Sequence, residues 1–329
     1  MALRNYGVLR ARVVDHRTAA NTNEHFQLHL VAADTHHRVA VNIASKLAPS
    51  ELEFLLDSDF RHPILDELAA LAPGWHPLES RPGSVALDFI RANLFDRSLL
   101  RVLPVNVPGP DNDLNEKLAH YVRRAIADAD ASAYAFGERW GPEQGVPDKI
   151  FGFEPGSGVH DIHMNQANVG QFVGDDGVWQ DGALMLHFPA QQQWVAIFLK
   201  FQSQTWHTDD ATGHAIGDGQ TAAPDGIVRI VAALANAIQT PEAEFVTLLN
   251  TTAAAIDLAG WKLVDRDRHA MALDETIGAG EALRVALTPQ VVLPNGGGTL
   301  TLLDETGLKV DGVAYTGAQA AEPGRTIVF

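Results

Sequence analysis

Two short stretches of the sequence concentrate side chains able to bind a metal ion or move a proton. The first is Gly158-Val159-His160-Asp161-Ile162-His163-Met164-Asn165-Gln166; the second is Trp206-His207-Thr208-Asp209-Asp210, with His214 four residues further on. In a turn or helix His160 and His163 share a side, whereas in an extended chain Asp161 and His163 share a face. Either arrangement sets two ligands for a borderline divalent cation close together. An extended second stretch puts His207 and Asp209 on one face. An imidazole beside a carboxylate serves a metal site, or a general base whose tautomer the carboxylate fixes. Of the 14 histidines, His160, His163, His187, His207 and His214 crowd into one short part of the chain.

If the two clusters meet across a sheet, they hold one divalent metal ion, with His160, His163, His207 and Asp209 as ligands. Asp161 or Asp210 then acts as base or as support behind the ligands. Such an ion lowers the pKa of bound water and supplies hydroxide for hydrolysis. Asn165, Gln166 and His214 are candidates to bind substrate. So are Glu138 and Arg139, which lie between Phe136 and Trp140 and otherwise read as a buried ion pair. The competing reading is that these polar residues close loops through side chain–backbone hydrogen bonds. An HxD with a distant His also fits the facial triad of non-haem iron oxygenases, but the only later histidines are His214 and His269.

Composition narrows the chemistry. Cysteine is absent, which excludes disulfides, thiolate zinc sites, iron–sulfur clusters and a catalytic thiol. The 329 residues carry a net charge of −17, so a generally basic nucleic-acid surface is excluded, though a local basic groove around a cation is not. Nucleic acid is accordingly disfavoured as a partner, and a small-molecule or polymer ligand is expected. No GxSxG elbow, GxxxxGK[ST] loop, GxGxxG fingerprint or HExxH is present. No apolar run of about 18 residues exists to span a membrane. The N-terminus lacks a secretory signal pattern, so a cytoplasmic location is expected.

The elements that must position the candidates follow from periodicity. Residues 7–16, 25–33 and 36–43 read as strands of an antiparallel meander, with Phe26, Leu28 and Leu30 alternating against Gln27 and His29. His29, His36 and His37 are expected on a solvated face. Pro49-Ser50-Glu51 is expected to open a short helix, and His62-Pro63 another, through Leu71. Leu114, Leu118, Tyr121, Val122, Ala125 and Ile126 follow helical spacing, with Asp111 or Asp113 as cap. From 134 to 182 Gly, Pro, Trp and Asn are dense and irregular chain is expected. Separately, Trp179, Trp194 and Trp206 are expected to pack a core or wall a pocket. Strands return at 183–188 and 193–201. After a linker at 213–226, seven short β segments argue for an immunoglobulin-like sandwich. The expected fold is thus mainly β with some α: a mixed α+β domain over 1–222, with an antiparallel sheet and a few helices, and a β-sandwich over 223–329.

Two resemblances agree with this division. Residues 1 to about 220 resemble the YukJ-like family, a bacterial domain of unknown function. The resemblance rests on Tyr6-Gly7-Val8-Leu9, ALDFIR at 86–91, GPDNDLN at 109–115, AFGERWGPE at 135–143, GVHDIHMNQ at 158–166, VWQDG at 178–182 and FQSQTWHTDDATGH at 201–214. Ala167 stands where a glycine is expected after HMNQ. Residues 225–329 resemble a lamin-tail domain, through EFVTLLN at 244–250, LAGW at 258–261, Gly280, Asn295-Gly296-Gly297 and VAYT at 313–316. That resemblance implies an immunoglobulin-like sandwich, with Trp261 in its core, a possible surface for a protein partner, and an association with hydrolases and nucleases.

The function expected from these readings is a metal-dependent hydrolase, with phosphodiesterase or nuclease as its narrower forms. The alternatives are a non-catalytic ligand- or protein-binding module positioned by the lamin-tail domain, or a scaffold within an assembly.

Overall fold

The computed structural model describes residues 5–18, 25–44, 52–78, 93–103, 114–161, 182–201, 226–307 and 309–329. Strands β1 (Tyr6–Thr18), β2 (His25–Ala32) and β3 (Thr35–Asn42) form the expected antiparallel meander. The β2–β3 turn holds Ala33 and Asp34 at φ of 43° and 66°. Two positive φ values in a two-residue loop match the twist of the flanking strands. Phe26, Leu28 and Leu30 enter the core, and His25, Gln27 and His29 leave the opposite face.

The meander closes on itself through β7 (Ser132–Glu143) and β8 (Gly156–His160). β7 pairs antiparallel with both β1 and β8, and β8 pairs in parallel with β3. The ring β1-β2-β3-β8-β7 is therefore barrel-like, and closure removes the free edges of those strands. β7 also pairs with β9 (Gly182–Phe188), from which the sheet continues through β10 (Gln193–Phe201) and β4 (Leu52–Asp57) to β6 (Arg101–Val102). β5 (Gly74–Pro77) flanks β1.

Both faces of the β7–β9–β10 sheet are covered. Leu184, Leu186 and Phe188 share one core with helix α2 (Leu114–Ala127), while Ala183 and Met185 share another with α1 (Ile64–Ala70). Double burial explains why these strands read as nearly continuous apolar runs. Leu114, Leu118, Val122 and Ala125 are the buried stripe of α2, as its spacing predicts.

Three expectations need correction. The segment after Pro49-Ser50-Glu51 is not a helix where it is described: residues 52–57 form β4, paired with β10 and β6, and cross-strand pairing overrides a weak local helical preference. The stretch from 134 does not open as irregular chain. It is β7, whose Gly137, Gly141 and Pro142 disguise it as loop. The N-terminal region is also less mixed than expected, being a barrel-like β structure with helices packed onto it.

In the C-terminal region two four-stranded antiparallel sheets face each other. One contains β11 (Val228–Leu234), β12 (Phe245–Asn250), β17 (Ala282–Ala286) and β20 (Ile327–Val328); the other contains β14 (Lys262–Asp265), β15 (Ala270–Ala272), β18 (Gly297–Leu303) and β19 (Lys309–Thr316). A short ribbon of β13 (Ile256–Asp257) and β16 (Thr276–Ile277) accompanies them. Val246, Leu248, Trp261, Leu263, Leu300 and Leu302 fill the shared core. The seven expected strands all have counterparts. The ones unforeseen, β13, β15 and β16, are two or three residues long, too short for an alternation to register. A short helix, α3 (Gly317–Ala320), is closed by a Thr316–Gln319 capping box.

Several side chains stitch the two regions, among them an Arg266–Glu67 ion pair. Asn93, at φ 51°, donates from Nδ2 to the Leu300 carbonyl at 3.1 Å and to Thr301 Oγ1 at 2.9 Å. Gly312 admits it, because a Cβ there would stand 2.1 Å from Asn93 Oδ1. Arg229 pairs with Asp96 at 2.7 Å beside it. The expected boundary at 222 lies outside the described residues. Among the described residues no helix is long and apolar enough to cross a membrane.

Candidate functional site

The barrel register builds a polar cleft on its outer face. His160 of β8 lies opposite Ala40 of β3 and Glu138 of β7, and His25 lies opposite Asn42. Alternation therefore aligns His25, Gln27, Arg38, Glu138 and His160 on one face. The chain leaves β8 at Asp161, whose N–H still donates to the Ala40 carbonyl at 3.1 Å. Close packing at this point requires glycine on both sides. A Cβ at Gly137 would stand 2.0 Å from the His160 carbonyl oxygen, and one at Gly182 would stand 2.7 Å from that of Asp161.

Asp161 is 2% exposed. Its carboxylate accepts the backbone N–H of Asn42 and the Asn42 Nδ2 amide, both at 2.9 Å. It also lies 3.3 Å from Nδ1 of His160. The far nitrogen of that ring, Nε2, is 2.9 Å from Nε2 of His25, with the two rings edge to face. The His160 ring thus lies between the Asp161 carboxylate on its Nδ1 side and His25 on its Nε2 side. Burial, reinforced by the neighbouring His160, presses the His25 pKa down to about 4. His25 is therefore neutral at physiological pH. Two imidazole nitrogens thus converge on one point, arranged to share a proton or to bind a cation.

The cleft encloses about 670 Å³. At one side Arg38 is 8% exposed and spans the β3–loop junction. Its Nε donates to Asp148 Oδ2 at 2.7 Å and its Nη1 to Gln27 Oε1 at 2.9 Å, while the guanidinium lies 4.6 Å from the centre of the Trp140 ring. Burial opposes ionisation of Asp148. The N–H groups of Phe151 and Ile150, with Arg38, outweigh that effect and hold its pKa below the usual carboxylate value.

His160, Asp161, Glu138 and Arg139 are the sequence candidates that the structure describes. The first two form the array. Glu138 faces His160 across the β7–β8 pair, and Arg139 borders the cleft while its guanidinium lies 5.8 Å from the Trp75 ring. His163, Asn165, Gln166, His207, Asp209, Asp210 and His214 lie outside the described residues, as do Asp111, Asp113, Trp179 and Trp206. Among the described residues, no three His, Asp or Glu side chains stand close enough together to hold an ion by themselves.

His25 is the residue that sequence reasoning missed. It is separated from His160 by 135 positions, and only its place on the polar side of an alternating strand hinted at it. His37 is not on a solvated face. It is 7% exposed beside Ser157, and burial presses its pKa to about 4. His29 and His36 meet across the β2–β3 hairpin, with Nε2 and Nδ1 2.8 Å apart and their rings stacked on Phe153. Trp194 is core, stacked on His187 at 4.2 Å.

Comparison with known proteins agrees with both halves of this architecture. Residues 1–213 match the family described as "Uncharacterized conserved protein (DUF2278)". Residues 221–317 match the Lamin Tail Domain. The chain is also 39% identical over 222 residues to the uncharacterized protein YukJ of Bacillus subtilis (strain 168), a match spanning 66% of this chain and 96% of that relative. The chain therefore belongs to the DUF2278 family and carries a lamin tail domain behind its family region.

Proposed function

We propose that the chain is a metal-assisted hydrolase acting at the Asp161–His160–His25 array, with a divalent cation as its cofactor. The observation that carries this reading is the convergence of two Nε2 atoms at 2.9 Å, one of them on a ring whose Nδ1 lies 3.3 Å from a buried carboxylate. A carboxylate behind a ligating histidine is the usual support of a metal-binding imidazole. His163, His207 and Asp209 complete the ligand set in this reading. A bound cation supplies an acidified water and polarises the scissile group.

The chain's own residues have distinct tasks. Asp161 is closed to solvent and already accepts two bonds from Asn42, so it is assigned orientation of His160 and not proton transfer. Asp210 takes the role of base. Water adding to the carbonyl carbon or phosphorus of an ester would give its proton to Asp210, and the bond to the leaving oxygen would break as Asp210 returns that proton to it. The net charge of −17 argues for a small substrate over a polyanion. The C-terminal pair of sheets, read as an immunoglobulin-like scaffold, presents this domain to a protein partner.

Elemental analysis of untagged protein purified without chelator tests the proposal. About one equivalent of a divalent metal is expected, lost from His160→Ala and His25→Ala. Metal absent from the wild type, or unchanged content in both variants, overturns the reading and favours a non-catalytic binding module.

A further inference from the structure

We propose that Arg38 is the oxyanion-recognition residue of the cleft, taking one phosphoryl or carboxylate group of a small ligand beside the histidine pair. The inference deepens the hydrolase reading, on which it rests for the fate of the bound molecule. Its geometry is independent of any metal.

A guanidinium carries five N–H donors in a planar fork. Two are committed, Nε–H to Asp148 and one Nη1–H to Gln27. The rest belong to a side chain that borders the cleft. The fork cannot swing away: Asp148 grips one side, Gln27 another, and Trp140 covers a face. Asp148 is held in turn by the N–H groups of Ile150 and Phe151, at 3.0 and 2.9 Å. A buried guanidinium fixed in this way loses little freedom when it binds an anion, which is what makes Arg effective for carboxylate and phosphate.

The position suits the chemistry. Gly158, opposite Arg38, is two residues before His160 on β8, so the fork and the imidazole pair sit one strand repeat apart on the same face. The lining is mixed, because Glu138 and Glu143 border the same cleft as Arg139 and Lys149. Those carboxylates repel an extended polyanion. A single oxyanion on a compact molecule meets the fork without a second negative group being forced against them.

Calorimetric titration of the full chain with inorganic phosphate and, separately, with acetate tests this. Each titration is run on protein as purified and on metal-stripped, dialysed protein. Saturable binding of at least one anion is expected in both forms, and the anion preferred distinguishes a phosphoryl from a carboxylate substrate. Arg38→Lys keeps the charge but loses the fork, and is expected to weaken binding by about tenfold or more. If Arg38→Lys does not fold, the side-chain nitrogen resonances of wild-type arginines are followed during the same titration, and one shielded guanidinium is expected to shift. Binding of neither anion, equal affinity in a folded Arg38→Lys protein, binding only in the metal-loaded form, or no moving guanidinium resonance overturns the proposal. Because binding is read without turnover, a protein that binds phosphate but holds no metal would refute the hydrolase reading and leave this one standing.

Discussion

The two regions place the partners of their buried polar side chains at different sequence distances. In the sandwich Asp265 and Asn250 reach partners no more than 28 positions away. Asp265 accepts the N–H groups of Asp267 and His269, Asp304 accepts that of Thr306, and Asn250 donates to the Ala254 carbonyl. These are turn closures; Asp265 also accepts the Val292 N–H, and Asn250 also donates to the Ile277 and Gly278 carbonyls. In the barrel the partners are distant. Arg38 and Asp148 are 110 residues apart, Asn42 and Asp161 are 119 apart, and His25 and His160 are 135 apart. All of them border or support one cleft. The pair His269–Asp265, at 3.1 Å, repeats the chemistry of His160–Asp161, at 3.3 Å. Yet the His269 side chain is 60% exposed, whereas His160 faces a second imidazole. A histidine–carboxylate contact thus becomes a candidate site only where long-range pairing gives it something to face.

The largest test of this contrast removes the carboxylates. Asp161→Ala strands two buried Asn42 donors and is expected to cost about 3 kcal/mol in urea unfolding, together with the bound metal. Asp265→Ala strands turn N–H groups and is expected to cost about 2 kcal/mol with metal content unchanged. Metal lost from Asp265→Ala, or retained in Asp161→Ala, would break the comparison.

Acid titration sharpens it next. The folded pKa values of His25 and His37, about 4, lie below the unfolded value near 6.5. Between those pH values the unfolded chain binds more protons, so stability is full above about 6.5 and falls as the pH drops toward 4. The loss is on the order of 3 kcal/mol per imidazole, and replacing both by Gln should flatten the profile of unfolding free energy against pH.

Asn93→Ala asks whether the regions depend on each other. It removes the donors inserted between β18 and β19, and is expected to cost about 1 kcal/mol and to separate the calorimetric transitions of barrel and sandwich. The smallest effect is expected from His269→Ala. Its exposed ring should leave stability within about 0.5 kcal/mol and metal content unchanged.

Local order carried much of the architecture. The two-residue alternation of β2, the helical stripe of α2 and the turn-punctuated strands of the sandwich are all near-neighbour patterns, and burial of one face or stripe follows directly from them. His160 and Asp161 were legible because they are adjacent in the sequence. β4 and the start of β7 were not, because partners far along the chain stabilise an extended state that their own residues do not announce. His25 was hidden for the same reason, and His37 was misplaced because alternation assigns a face without saying what covers it.

By itself, then, the amino-acid sequence determined the β-rich character, the family resemblances, a net charge of −17 and the absence of thiols. Tertiary structure alone decided that β7 and β8 close the meander. That closure sets His25 against His160, holds Asp161 on Asn42 and locks Arg38 on Asp148. The physical reason is that a side chain's protonation, burial and reach depend on what faces it. In a closed sheet those neighbours come from chain more than a hundred residues away, at a register that only the completed barrel defines.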